Sequence, residues 1–230
     1  MAKVRILDVE TTGFEPPAAE VCEVGYCDVD TDTRTVSPEY HSWLCGINGP
    51  MPPETRSVHH ISAADCDGLP PFDPDTVDAD KVAVFAAHNA EFEAKFITFH
   101  KPVICTYKSA LRVWPDAPSH SNGTLFYWLL DQGLINPDLT LSRPFHRAGP
   151  DAYVTGWILV ALLNAGATGK DMVAWTKEPK LLPKCTIGKF RGKPWPEVED
   201  GFLGWMLKQV DMDADLKWNA ARELKRRNGQ

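Results

Sequence analysis

Three carboxylate-bearing segments follow one another in this chain: Asp8-Val-Glu10-Thr-Thr-Gly13 near the start, His88-Asn-Ala-Glu-Phe-Glu93 in the middle, and His146-Arg-Ala-Gly-Pro-Asp151 later. Converging carboxylates with a nearby histidine suit one kind of chemistry: hard divalent cations held beside a base that takes a proton from water. No segment is specific alone. With 31 Asp+Glu and 7 His among 230 residues, an acid-x-acid triplet arises by chance about four times and His-x4-Asp about half a time. What counts is the order of the three segments and the setting of each.

Strand alternation sends Asp8 and Glu10 to one face of a strand that Ile6, Leu7 and Val9 make apolar on both sides. Two like charges so placed resist ionisation unless a cation compensates both; two solvated acids at a surface strand end are the structural alternative. Glu91 has Lys95 four residues on, an ordinary surface ion pair, whereas Glu93 has only Asn89 and Ile97 at that spacing. Glu93 borders a phenylalanine stripe, either as a ligand or as a spare glutamate on an amphipathic helix. Asp151 falls in the first turn of a helix, where the dipole favours a carboxylate by about 0.3 to 1 kcal/mol. Val154 and Ile158 nevertheless place it in line with the apolar side, pointing inward. His146 lies in a solvent-reachable loop five residues before that acid, where a general base is needed, although a lone loop histidine is otherwise ordinary surface.

The elements that must position these residues start with strands over Val4 to Val9, Val21 to Val29 and Thr35 to Cys45, a meander with turn signals such as Asp30-Thr-Asp32 between them. Pro53 opens a short helix through His60, and Val82 to Ala87 is a further buried strand. Residues 89 to 99 carry Phe92, Phe96 and Phe99 at helical spacing. Gly149-Pro150 is a helix entry, after which Val154, Trp157, Ile158, Ala161 and Leu162 trace an apolar stripe to about Ala165. A second helix spans residues 168 to 177.

Glu178-Pro-Lys-Leu-Leu-Pro183 reads as a linker, separating a domain at 1–177 from a small basic module at 184–230. In that module Thr186 to Lys193 reads as a glycine-supported hairpin, followed by helices over Phe202 to Leu207 and Asp213 to Arg227. Lys184, Lys189, Arg191 and Lys193 around Phe190, with Arg222, Lys225, Arg226 and Arg227, offer a grip for a polyanion, or else an ordinary solvated surface.

The net charge of −7 is unevenly spread: residues 1 to 93 hold 5 basic and 18 acidic side chains, and the remainder holds 19 basic and 13 acidic. A basic second half can face a polyanion while the acidic half supplies metal ligands. Six cysteines lie singly, without a Cys-x2-Cys pair, so reduced thiols are expected and structural zinc is not. No segment reaches the roughly 18 apolar residues of a membrane span, and a cytoplasmic location is expected.

Across roughly residues 4 to 165 the order and spacing of these segments resemble the DEDDh 3′-to-5′ exonucleases of the proofreading-exonuclease (DnaQ-like) superfamily. The resemblance implies a ribonuclease-H-like α/β fold, a five-stranded mixed sheet flanked by helices. It implies that Asp8, Glu10, Glu93 and Asp151 form the catalytic acid set around two metal ions and that His146 deprotonates water. Thr11, Gly13 and Phe14 would hold the 3′-terminal nucleotide, with Val58, His59, His88, Asn89 and Phe92 lining its pocket. All-oxygen ligands favour two Mg²⁺ or Mn²⁺ ions over Zn²⁺. The partner implied is nucleic acid with a free 3′ end, DNA before RNA, and the product a nucleoside 5′-monophosphate. One departure stands out: the family has aspartate where this chain has Glu93. An RNA-trimming exoribonuclease and a catalytically weak nucleic-acid-binding or partner-binding module are the alternatives.

Overall fold

β-Branched and apolar residues dominate the first strands, and these build the centre of the molecule. The computed structural model describes residues 3–77 and 82–229. Its strands are β1 (Lys3–Thr11), β2 (Val21–Asp30), β3 (Thr35–Leu44), β4 (Val84–Ala87) and β5 (Val103–Cys105). They form one mixed sheet in the order β3-β2-β1-β4-β5. β1 pairs antiparallel with β2 and parallel with β4, so it lies in the middle, and Ile6 and Leu7 are fully buried on its two faces. A strand apolar on both sides belongs at such a position.

The helices are α1 (Pro53–His59), α2 (Glu93–Phe96), α3 (Thr106–Val113), α4 (Asn122–Asp131), α5 (Ala148–Asn164), α6 (Gly169–Lys177), α7 (Asp200–Lys208) and α8 (Ala214–Arg227). α5 lies across β1, β2 and β3 and closes the larger core, with Ile6, Val29, Phe126, Val154, Ile158 and Leu162 among its buried residues. Its approach depends on Gly25 of β2: a Cβ there would meet the backbone of Ala148 and Gly149 at 2.4 Å. Only glycine admits the helix that close. On the other face of the sheet Leu7, Val9, Val24, Phe85 and Ile97 form a second core. A five-stranded mixed sheet flanked by helices is the ribonuclease-H-like arrangement.

Several elements differ from the sequence expectation. The helix expected over residues 89 to 99 is a turn followed by the single-turn α2, because Asn89 adopts a left-handed φ of 73° and the backbone leaves the helix again at Ile97. Phe96 and Phe99 still pack on the second core. Glu91 does not pair with Lys95; it meets Lys108 at 2.6 Å and Lys180 at 3.4 Å, while Lys95 reaches Glu15. β5, α3 and α4 lie where no element was anticipated.

In place of a strand hairpin, Lys184 bridges Pro194 and the segment between them contains one turn of 3-10 helix over Gly188–Phe190. Cys185, Trp195, Val198, Leu203, Met206, Leu216 and Ala220 bury a separate cluster. All six cysteines are free and buried. Among the described residues, no single helix is long and apolar enough to cross a membrane.

Candidate active site

β1 carries Asp8 and Glu10 toward the C-terminal end of the central strand, and the first turn of α5 places Asp151 against them. One carboxylate oxygen from each of the three lies within 4.8 Å of the others. Among the described residues they are the one cluster with this geometry. Glu93, the first residue of α2, is 3% exposed, close enough for its charge to disfavour ionisation of Asp8. Its Oε2 and the Oδ1 of Asp151 are buried without a hydrogen-bond partner.

Burial is the main reason that all four acids resist ionisation. It holds Asp8 well above the usual carboxylate range, with Asp151, Glu10, Glu93 and Glu23 adding repulsion. Glu10 is pushed up to about 8 by burial, then by Asp151 and Glu23, against a smaller opposing effect of Arg147. Glu93 rises to about 8 through burial and Glu10, although a backbone amide bond opposes this. Asp151 rises to about 7 through burial, moderated by the N–H of His146. Four acids crowded together, two with orphaned oxygens, fit the binding of divalent metal, which would neutralise them and satisfy those oxygens.

His146 is exposed and holds a left-handed φ of 59°, and its backbone N–H donates to Asp151 Oδ2 at 3.1 Å. The next residue anchors the loop. Arg147 donates from Nε and Nη2 to the two carboxylate oxygens of Glu23 at 2.9 and 2.8 Å, and the Ala148 N–H donates to the same carboxylate at 3.0 Å. Glu23 stands opposite Glu10 in the β1–β2 register. A bidentate arginine–carboxylate pair fixes orientation as well as distance, so Glu23 ties the histidine loop to the strand beside the acids.

A cleft of about 190 Å³ opens next to these acids, lined by Glu10, Thr11, Gly13, Phe14, Val58, His59 and Phe92, with Glu54 and Thr55. Phe14 is 76% exposed and stands edge-on to Phe92, with ring centroids 6.4 Å apart. His59 has a buried ring whose Nδ1 accepts the Ile61 N–H at 3.0 Å, and burial lowers its pKa. Six of the eight expected nucleotide-pocket residues therefore share one cleft. The other two, His88 and Asn89, line a neighbouring hollow with Tyr107, His120, Ser121 and Lys180. His88 bonds Thr106 Oγ1 at 3.0 Å and the His120 carbonyl at 2.8 Å, and burial pushes its pKa down to about 4, so the ring is neutral near pH 7.

Sequence reasoning did not single out Glu23, Arg147, Glu54, Thr55, Tyr107, His120 or Lys180. The signal for Glu23 was present, since it is a charge inside the apolar run Val21, Cys22, Val24. Arg147 is next to His146 in the sequence, and the remaining five become neighbours of the site only through the fold.

A family model described as exonuclease matches residues 6–155. The chain is 30% identical over 220 residues to exodeoxyribonuclease 10 of Escherichia coli (strain K12), with 93% of this chain and 95% of that protein covered. Among solved structures, exonuclease X in complex with 5′ overhanging duplex DNA superimposes with a TM-score of 0.61 at 26% identity, covering 75% of this chain and 99% of that one. The nuclease domain of 3′hExo, a DEDDh family member bound to rAMP, shares the fold with a TM-score of 0.53 at 19% identity, over 71% of this chain and 92% of that one. The chain belongs to the exonuclease family and is a 3′-to-5′ exonuclease.

Proposed function

We propose that this chain is a DNA exonuclease that shortens a strand from its free 3′ end and releases nucleoside 5′-monophosphates. The observation that carries the proposal is the convergence of Asp8, Glu10 and Asp151 within 4.8 Å, with unpartnered oxygens on Asp151 and Glu93. DNA is preferred to RNA on the likeness to exodeoxyribonuclease 10.

Asp8, Glu10 and Asp151 would hold two Mg²⁺ or Mn²⁺ ions, with Glu93 acting on one of them from the α2 side. When bound, such ions stabilise the attacking and leaving oxygens of an in-line displacement. The chain supplies the rest. His146, exposed on a loop fixed through Asp151 and Arg147, takes the proton of the attacking water at its imidazole. Thr11, Gly13, Val58, His59 and Phe92 shape the cleft for the terminal nucleotide, and Phe14 offers its open face to the last base. His88 and Asn89 border the hollow next to it. By the separate cluster around Cys185 and Trp195, residues 1–177 form the nuclease domain and 184–230 a C-terminal module, joined through 178–183.

The test is incubation of end-labelled single-stranded DNA, duplex DNA and RNA with Mg²⁺ or Mn²⁺, with products resolved nucleotide by nucleotide. Stepwise loss from the 3′ end of DNA, stopped by EDTA, is expected. His146→Ala should lower kcat by about 10²- to 10⁴-fold with binding little changed. Turnover without divalent metal, or stepwise products from the 5′ end, would sink the reading, and faster loss from RNA would move it to an exoribonuclease.

A further inference from the structure

Charge on the C-terminal module is not distributed as its sequence suggests. Lys189 meets Glu199 at 2.9 Å and Lys193 meets Glu197 at 3.2 Å, so two of the basic residues of the 184–193 loop already have acidic partners. Arg227 is spent on the fold, bonding Glu223, Asp200 and the carbonyls of Trp195, Pro196 and Val198. Lys184 and Arg191 remain there, and two further uncommitted cations lie beside an aromatic ring on α8. Trp218, Arg222 and Lys225 recur at four- and three-residue spacing along α8 and so share one face. Among the described residues Arg222 and Lys225 have no carboxylate partner, and the Arg222 guanidinium carbon lies 6.0 Å from the Trp218 ring centroid.

These three residues, with Ala221 and Arg226, line an open crevice of about 420 Å³. Arg222 and Arg226 also line the adjoining hollow, which Arg112 and Pro115 bound from the nuclease domain. Arg112 is at the C-terminal end of α3, and Tyr107 is at its other end, in the hollow shared by His88, Asn89 and Lys180. Lys180 in turn meets Asp215 in the first turn of α8 at 3.5 Å. From Asp215 to Arg222 the helix rises about 10 Å at 1.5 Å per residue. The hollow of His88 and Asn89 and the basic face of α8 are thus linked through shared residues, by way of α3 and by way of α8 itself. The acids along both are each answered by a cation: Glu91 by Lys108 and Lys180, Asp215 by Lys180, Glu178 by Arg112, and Glu223 by Arg226 with Arg227.

We propose that the Trp218–Arg222–Lys225 face of α8 binds a single-stranded nucleic-acid segment lying on the 5′ side of the end held at the carboxylates, with phosphates on Arg222 and Lys225 and a base against Trp218. The proposal rests on the exonuclease reading for its direction along the strand. Its chemistry stands on the face itself: cations flanking an aromatic ring are what a phosphate backbone with stacked bases requires.

The test uses the full chain and the variants Trp218→Ala and Arg222→Ala/Lys225→Ala, none of which removes a fully buried side chain. Affinity for a fluorescent single-stranded oligonucleotide of about 20 nucleotides is read in EDTA, where no cleavage is required, across a series of salt concentrations. Trp218→Ala should weaken binding by about tenfold, as the loss of one stacked base does. The double variant should flatten the dependence of log affinity on log salt by about 1.4, two contacts at about 0.7 each on a single strand. On a dinucleotide, too short to reach α8, kcat and KM should stay at the parent values. An unchanged salt slope, an equal loss on the dinucleotide, or a loss confined to blunt duplex would overturn the proposal. A parent chain that binds through α8 yet releases no nucleotide when Mn²⁺ is restored would uphold it and sink the exonuclease reading instead.

Discussion

Glu93 has one methylene more than the aspartate that the DEDDh pattern places after the phenylalanine, and the structure gives that extra length a destination. α2 starts at Glu93 and lasts one turn, so the side chain leaves a short, adjustable element, and its Oε2 ends buried and unpartnered close to Asp8. A carboxylate with no protein partner in such a place is accounted for by a ligand. Glu93→Asp should retain or raise activity, whereas Glu93→Ala should lower it by about 10- to 100-fold, the scale of lost support around a metal. The comparison is made under saturating Mn²⁺; equal inactivity of parent and Glu93→Ala, with turnover gained only in Glu93→Asp, would mark the chain as a degenerate exonuclease. The same burial fixes the pH behaviour. Glu10 and Glu93 near 8 and Asp151 near 7 in the folded chain exceed their unfolded values. The metal-free fold therefore binds more protons than the unfolded chain, and its stability falls as pH rises from about 4 toward about 8. A divalent cation displaces those protons and binds better as pH rises. Addition of Mn²⁺ should raise Tm by more at about pH 8.5 than at about pH 6; a gain that shrinks with pH would contradict the acid cluster as the binding site.

At the scale of elements, what was legible in the sequence follows from how local the cause is. β1, β2 and β3 announce themselves through β-branched runs and the Asp30-Thr-Asp32 turn, and α5 through Gly149-Pro150 and its apolar stripe. The three acidic segments could be found because each lies at the end of such an element. β5 is three residues long and α4 depends on its contact with α5, so neither announced itself, whereas α3 and its C-cap carry Tyr107, Ala110, Leu111 and Trp114 at helical spacing, a signal that was present and passed over. α2 was overextended because its phenylalanines keep helical spacing, while Asn89 at a left-handed φ starts the turn that precedes it. The clamp of Glu23 on Arg147 joins residues 124 positions apart and becomes visible only in the fold. Gly25 is the element-scale control on the site. An added methyl would press on the backbone at the start of α5, just before Asp151, and cannot be relieved by a rotamer change. Gly25→Ala should cost about 1 to 3 kcal/mol, as overpacking does, and should lower activity with it. Gly204→Ala on α7, where nothing lies within 4 Å, should instead gain about 0.4 to 1 kcal/mol. Thermal denaturation of the two variants checks both signs, and an unperturbed Gly25→Ala would show that α5 does not depend on that contact.

For the whole molecule, the question is how the hydrophobic cluster around Cys185 and Trp195 is held against the cores on the sheet, and the answer lies in the 178–183 segment. Read as a linker from its prolines, it is bonded to both sides. On the nuclease side the buried Lys108 donates to the carbonyls of Thr176 and Glu178 at 3.0 and 2.6 Å, and Arg112 meets the Glu178 carboxylate at 2.8 Å. On the other side Asn219 of α8 accepts the Leu182 N–H at 3.1 Å and donates to the Lys180 carbonyl at 2.7 Å, while the Trp195 indole donates to the Leu182 carbonyl at 2.7 Å. Asn219 is 3% exposed, so its amide acts as a backbone surrogate in a place water does not enter. Truncating it removes both bonds from α8, about 0.5 to 1.5 kcal/mol each, while the Leu182 N–H still meets the Lys180 carbonyl at 3.0 Å. Asn219→Ala should therefore loosen the segment after residue 183 from the sheet before the hydrophobic clusters melt, because local opening follows the weakest bonded unit. Limited proteolysis reads this directly: cleavage between residues 178 and 184 should accelerate several-fold at a temperature where the parent resists, and hydrolysis of a dinucleotide should stay at the parent rate. A variant cut no faster than the parent would mean that the packing around Trp195 and Lys108, rather than the amide of Asn219, joins the two halves.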